Sequence, residues 1–449
     1  MCMRWTRCLN VRALMRSRSM SPNEKTTQEK PPRDHQFDPR RYPRTPEASA
    51  LVNDIIAQVE AYEVTHGLRR RGRKQADQRT FEATVTGSVC DLMHGHLMQR
   101  EGGIAVPRSH QVLGCKSRYV SPVFSQKLPE IVDRLADTGW LTIEEGWQGH
   151  FGKGKRCTIH PAPKLLTTMD HHGITLSDLG RRYDETEEVI ILKAGTHNDA
   201  PGRSKPLVEY ADTPQVLQYR AELHRINRWL EAADIDVDDA GLSKPVDPAQ
   251  RHLRRVFSNS NFSHCGRLFG GFWQEMKKVE RKEAITINGE PVTILDYGQI
   301  AARILYGMAG VAPEGDLYDI GVPGADIRAG VKKVFNAMLY ATKPLMRFPQ
   351  HCLHHFPRGT RFEDIMAGIT ERHSTIAHHF FTGIGIHAMY LESEIMIDVL
   401  RTLIDHGIVA LPIHDAVVVP ASATELVRTV MLDVFHHHVG TQGVVTVED

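Results

Sequence analysis

From about residue 48 onward the apolar positions fall into the periods of folded elements. In "SQKLPEIVDRLADTGWLTIEEGWQGHFGKGKRCTIHPAPKLL", Leu128, Ile131, Val132 and Leu135 are three and four apart, the spacing of one helix face, and Gly139 follows as a stop. A strand from Trp140 to Ile143, a glycine-rich tip and a second strand ending at Ile159 complete that stretch. Residues 213–232 predict another helix, with Leu217, Leu223, Ile226 and Leu230 near one side and Thr213–Pro214 suited to its start. Farther on, "ITINGEPVTILDYGQIAARILYGMAG" predicts a hairpin turning at Asn288-Gly289, whose second strand, Val292 to Leu295, ends at Asp296. A helix burying Ile300, Ile304, Leu305 and Met308 follows. The same plan recurs near the C-terminus: a helix carrying Met389, Met396, Leu400 and Leu403 stops near Gly407, a strand from Ile408 to Ile413 delivers His414 and Asp415, and Val417 to Val419 return.

Composition changes this picture only at its edges. A chain of 449 residues with 41% hydrophobic residues can fill two or three cores. Lys plus Arg (55) and Asp plus Glu (54) cancel, so any basic face must be local. No run approaches the roughly 18 apolar residues that span a bilayer, which gives no membrane partner. Seven scattered cysteines without a C-x-x-C argue against a disulfide framework or zinc ribbon and fit a reducing, cytoplasmic compartment. The first 23 residues hold five Arg and no acid, readable as a transit peptide or as sequence ahead of a true start at Met20. The whole of 1–47 lacks apolar periodicity and is expected to be a disordered basic leader.

Two stretches carry candidate chemistry. The helix and hairpin of 48–168 resemble a winged helix, in which a helix enters the major groove and a cationic wing touches phosphates; Lys153, Lys155 and Arg156 form the wing tip, and "RRRGRK" (69–74) would add contacts. Helix-plus-hairpin units occur in many folds and a basic run is also an ordinary solvated face, so both readings stand. In the second half, Asp296 and Asp415 each sit where a core strand stops. Two such carboxylates are what magnesium ions need when they clamp a phosphoryl transfer. Taken alone, Asp296 reads first as a helix N-cap.

The order of four segments adds to this. "SHCGRLFGGFWQ" (263–274), "LDYGQIAARIL" (295–305), "DIRAGVKKVFNAMLYATK" (326–343) and "PIHDAVVV" (412–419) resemble the T-x-x-G-R motif and motifs A, B and C of family A DNA polymerases and the related single-subunit phage-type RNA polymerases, with Ser263 in place of the threonine. The resemblance implies an α+β right-hand polymerase palm with reduced fingers at 251–449, behind a winged-helix-like domain at 48–168 and a connector with a helical thumb-like region at 169–250. It implies that Asp296, Asp415 and the Tyr297 carbonyl bind two Mg²⁺ ions, for which Mn²⁺ could substitute. Arg328 and Lys332 would hold the incoming triphosphate, with Lys332 the proton donor to pyrophosphate, and Tyr340 would lie below the nascent base pair. Gln299 and Ala301 would border the nucleotide. Arg267 would touch the nucleic acid near the growing end, Gly266 would permit close approach, and His414 would neighbour the strand.

Departures from the pattern sharpen the expectation. Ala301 stands where the DNA enzymes carry a glutamate that walls off the ribose 2′-hydroxyl, and Ala416 follows Asp415 where they carry another glutamate; both are nearer the RNA enzymes. "DYGQI" is nearer the DNA enzymes, and Asn336 stands where they often have an aromatic residue. The implied function is a template-directed nucleotidyltransferase, primase- or RNA-polymerase-like and tolerant of ribonucleotides, taking a DNA template and nucleoside triphosphates in replication of a phage or similar element. A short family A-like DNA polymerase and a non-catalytic DNA-binding initiator are the alternatives. Histidines between motifs B and C (351–355, His373, His378, His379, His387) could ligate zinc, although no recognised spacing supports it.

Overall fold

The computed structural model describes residues 34–148, 154–195, 205–324 and 326–448. The first unit opens with two short strands, β1 (His35–Gln36) and β2 (Arg41–Pro43), and helices α1 (Pro46–Thr65) and α2 (Gln75–Leu97). Thr45 caps α1 by accepting from the Ala48 amide, and Pro46 supplies a preset first turn. After β3 (Ile104–Ala105) come α3 (His110–Leu113), α4 (Leu128–Asp137), β4 (Leu141–Glu144), a ribbon of β5 (Trp147–Gln148) and β6 (Gly154–Lys155), β7 (Thr158–Pro161) and α5 (Pro163–His171). The sheet runs β1-β3-β7-β4 and the ribbon stands apart from it. Leu128, Ile131, Val132 and Leu135 all face the core, packed with Phe37, Leu51, Phe81 and Ile159.

Residues 34–47 correct the expectation of an unstructured leader; 1–33 lie outside the described residues. Phe37 is buried in the first core, and Arg41, 3% exposed, pairs with Asp247 at 2.6 Å. Those partners are far along the chain, so a local pattern could not show them. The basic run at 69–74 is also partly spoken for: Arg69 and Arg73 both pair with the buried Glu63, and Arg73 lies 3.5 Å from the centre of the Phe81 ring.

The expected connector is more structured than its composition suggests. β8 (Leu179–Arg181) pairs with β2, and β9 (Ile190–Leu192) runs parallel to β11 (Arg254–Ser258), which pairs in turn with β12 (Asn261–Phe269). Between them lie α6 (Pro214–Ala232) and β10 (Ile235–Val237). Thr213 caps α6, accepting from the Val216 amide at 3.3 Å. Leu217, placed on its inner side by periodicity, is exposed, while Val216 and Tyr219 are buried instead.

After α7 (Lys278–Ala284), the hairpin of β13 (Ile285–Ile287) and β14 (Glu290–Tyr297) turns at Asn288 and Gly289, whose φ values of 54° and 72° are those of a type I′ turn. There follow α8 (Ile300–Met308), α9 (Ile327–Tyr340), α10 (Phe362–Arg372), α11 (Gly385–Asp405), β15 (Leu411–Ile413), β16 (Ala416–Pro420), α12 (Thr424–Val439) and β17 (Val445–Val447). The sheet order is β10-β13-β14-β16-β15, with β17 also on β14. β14 is thus central, and Val417, Val418 and Val419 of its neighbour are fully buried. α8, α9 and α10 build a separate core around Leu305, Val331, Phe335 and Ile365. Met308, expected inside, is 49% exposed at the end of α8. No helix among the described residues is long and apolar enough to cross a membrane. The whole is a mixed α+β fold.

Candidate active site

The register of two strands joins the acids that are 119 positions apart in sequence, Asp296 and Asp415. On β14 and β16, Leu295 faces Val417 and Asp296 faces Ala416, and the Tyr297 amide donates to the Asp415 carbonyl at 3.1 Å. Asp415 is the second residue of a two-residue turn between Ile413 and Ala416, and its predecessor His414 takes φ 58°, an unusual conformation for a residue with a side chain. Burial, then the negative charge of Asp415, push the Asp296 carboxyl up to about 7; Glu448 acts in the same sense, and Lys332 and Lys278 oppose it. β17 closes the other edge, setting Thr446 opposite Asp296.

A second layer comes from β12 and α11. Arg267 donates from Nε and Nη2 to one oxygen of Glu392, at 2.7 and 2.6 Å. Its guanidinium also feels the charge of Asp415 and the Tyr340 hydroxyl. Glu392 is 3% exposed; burial pushes its carboxyl up to about 8, Asp415 and Asp296 add to that, and Arg267 works against it. Sequence reasoning missed Glu392. The available signal was a carboxylate at the apolar-stripe position between Met389 and Met396, three and four residues from each.

Tyr340 ends α9 with its ring against Gly385, where a Cβ would stand 2.9 Å from Cδ1. Gly266 is buried at φ 76°, and Ser393 Oγ stands 2.5 Å from the place of a Cβ. What approaches Gly266 closely is therefore α11, not open space for a ligand. His414 packs edge-on to Phe269, with ring centres 5.5 Å apart. The Tyr297 ring is buried and its hydroxyl donates to the Met431 carbonyl.

The two cations of α9 behave differently. Lys332 is exposed, without a carboxylate partner among the described residues, and its charge reaches Asp296. Arg328, one turn earlier, is bound to Asp316 at 2.6 Å, and its guanidinium lies 5.4 Å from the centre of the Tyr318 ring. Gln299, at φ 59° before α8, donates to the same Asp316, so this acid ties the two helix starts together. Ala301 is half-buried against the α8–α10 core. In the first unit Lys155 pairs with Glu144, Arg156 is exposed, and Lys153 lies outside the described residues.

The histidine-rich stretch does not converge. Among the described residues no group of three or more His, Cys, Asp or Glu side chains is placed to hold a metal. His373 is a core residue: it is fully buried, bonds the Leu317 carbonyl at 2.8 Å and the Tyr306 hydroxyl at 3.1 Å, and burial lowers it to about 4. The Asp296–Asp415 pair is a different case. Mg²⁺ takes one or two protein carboxylates and completes its shell with water and substrate phosphates, so a half-buried pair of mutually repelling acids fits it.

No protein-family model matches the sequence, and no curated protein matches it. Among solved structures, the POL domain of Pol1 from M. smegmatis in complex with DNA primer-template and dNTP is similar over 52% of this chain and 51% of that chain, at 12% identity and a TM-score of 0.31. The chain thus spans about half the length of that structure. A likeness of this degree does not establish a shared activity.

Proposed function

We propose that the chain is a DNA-directed nucleotidyltransferase whose active site is built on Asp296 and Asp415. The observation that supports this best is the β14–β16 register, which sets the Asp415 turn beside Asp296 so closely that its charge helps drive Asp296 up to about 7. A structural pair of acids would be paired with Arg or kept apart, because an uncompensated buried charge is costly. Asp296 and Asp415 would hold Mg²⁺, which supplies charge neutralisation on the phosphates and activates the attacking hydroxyl.

The protein's own residues account for the rest of the reaction. A nucleotide hydroxyl gives up its proton to solvent and attacks the α-phosphorus, forming a P–O bond as the bond to pyrophosphate breaks. Lys332, on α9 and with its charge reaching Asp296, protonates the departing pyrophosphate. Arg328 exchanges Asp316 for the outer phosphates as the nucleotide enters. Arg267, fixed by Glu392, and Tyr340, seated on Gly385, carry the growing end and the nascent pair. Ala301 leaves room for a ribose 2′-hydroxyl. In the first unit, the strand order β3-β7-β4 with α4 leading into β4, and a separate β5–β6 ribbon between β4 and β7 in sequence, supports the winged-helix reading of a DNA-recognising domain.

Incubation with labelled nucleoside triphosphates on single-stranded and duplex templates, with and without primer, tests the reading. Mg²⁺-dependent incorporation of ribonucleotides is expected, and Asp415→Asn should abolish it while DNA binding persists. Incorporation of deoxynucleotides with strict rejection of ribonucleotides would point to a short DNA polymerase. Incorporation that survives Asp415→Asn would remove the site itself.

A further inference from the structure

The near-neutral chain hides a strongly biased segment. Between Ile327 and Phe362 there are seven Lys or Arg and no Asp or Glu, in a chain whose totals are 55 and 54. Arg328, Lys332 and Lys333 lie on α9, and Lys343, Arg347, Arg358 and Arg361 lie beyond it; all are exposed. Among the described residues, only Arg328 and Arg361 have a carboxylate within 4 Å.

This segment is held in place, unlike a tail of solvated charges. From Ala341 to Arg361 its regular structure is one short turn, Leu353–His355. Its phenylalanines and Cys352 nevertheless point inward. Phe348 packs on Phe356 and Phe362, with ring centres 5.0 and 5.1 Å apart, and Cys352 is fully buried with Sγ 3.6 Å from the Gly330 carbonyl. Phe356 fills the space above Gly330, where a Cβ would come within 2.6 Å of its ring. Lys333 fastens the segment to α9 through the His351 carbonyl. With the aromatic residues turned in, the cations are turned out, together with Met346 and Leu353, 88% and 59% exposed.

Long connections without regular structure inside a compact unit are commonly functional. Holding exposed, unpaired like charges on one anchored segment is unfavourable in the free protein and becomes favourable against a polyanion. The segment follows directly on α9, the helix that carries Lys332 and ends at Tyr340, so the same element leads from the candidate active site to the patch. Met346 and Leu353, exposed among the cations, offer apolar contact to base faces, which a single strand leaves uncovered and a duplex does not.

We propose that the outer face of 333–358 binds the sugar–phosphate backbone of single-stranded nucleic acid passing to or from the Asp296–Asp415 site. The choice of ligand rests on the nucleotidyltransferase reading. Lys343, Arg347 and Arg358 make the phosphate contacts, independent of base sequence.

The test is fluorescence anisotropy of a labelled oligothymidylate on the full chain, in EDTA and across a salt series, beside a matched duplex. Converting Lys343→Gln, Arg347→Gln and Arg358→Gln together removes three phosphate contacts. The slope of log affinity against log salt should become shallower by about 2 for the single strand, at about 0.7 per contact, and should change less for the duplex. The charge-preserving set Lys343→Arg, Arg347→Lys and Arg358→Lys should keep the wild-type slope. An unchanged slope in the glutamine variant, a larger change for duplex than for single strand, or equal loss in the charge-preserving set each overturns the proposal. Asp415→Asn separates the two readings, since it should end incorporation and leave the salt slope intact. If the slope responds and wild-type protein incorporates nothing, the surface stands and the catalytic reading fails; if nucleotides are incorporated and the slope does not respond, the reverse holds.

Discussion

At the scale of single residues, Asp296 makes the most exposed claim, because its protonation links the site to stability. Its folded carboxyl, at about 7, is raised from the ordinary 3.8. Between those values the folded chain holds a proton that the unfolded chain has lost, so this group's contribution is fully present at low pH and declines as pH rises toward about 7. Thermal melts without divalent cation should therefore show a downward slope with pH between about 4 and 7 that Asp296→Asn flattens. At about pH 7.5, Mg²⁺ should raise the wild-type midpoint and leave the variant nearly unmoved. A pH slope identical in both proteins would mean that neither burial nor Asp415 raises the Asp296 carboxyl. The two aspartates were legible in sequence because each interrupts a strand pattern. Glu392 was not, because a lone acid on an apolar helix stripe acquires meaning only when β12 brings Arg267 against it.

At the scale of elements, local chemistry read well and long-range pairing did not. Asn288-Gly289 announced its hairpin, and Thr213-Pro214 its helix, because caps and turns are decided by neighbours in sequence. Leu217 and Met308 were misplaced because periodicity gives a face but not how far a partner extends along it. The pairing of β9 with β11, and of β17 with β14, spans more than 60 and about 150 residues and has no local signature. Two glycines separate these kinds of constraint. Gly289 takes φ 72° with nothing within 4 Å of a Cβ, so Gly289→Ala should cost only the backbone strain, about 1 kcal/mol. Gly266 takes φ 76° and would meet Ser393 Oγ, Phe257 and Arg255, so Gly266→Ala should cost about 2–3 kcal/mol through strain and overpacking together. Urea denaturation of the two variants measures the difference; equal costs would mean that α11 yields at Gly266 and does not bear on β12.

At the scale of the whole molecule, the question is how the first unit is joined to the part that carries the aspartates. The first core gathers residues from Phe37 to Leu179, and the second begins at Val189. Across the boundary, Asp247 accepts from Arg41 of β2 at 2.6 Å and lies 3.1 Å from His94 of α2, with all three side chains at most 5% exposed. The Asp247 carboxyl is held well below the usual range by its hydrogen bond to His94 and the Arg41 charge, against the cost of its burial. A buried pair adds little net stability over an apolar substitute, but removing one partner strands the other charge. Asp247→Ala should therefore cost about 3–5 kcal/mol, and it should do so at the junction, because Arg41 has no other carboxylate within 4 Å among the described residues. Calorimetry of the wild type should show one transition if the two parts unfold together, and the variant should show two, the first unit melting separately from the sheet that holds Asp296. A single, uniformly lowered transition would instead place the coupling in the remaining contacts across the boundary, such as the Arg118–Asp212 pair and the Tyr119 hydroxyl donating to the Val208 carbonyl, and would leave Arg41–Asp247 as a local stabiliser of β2.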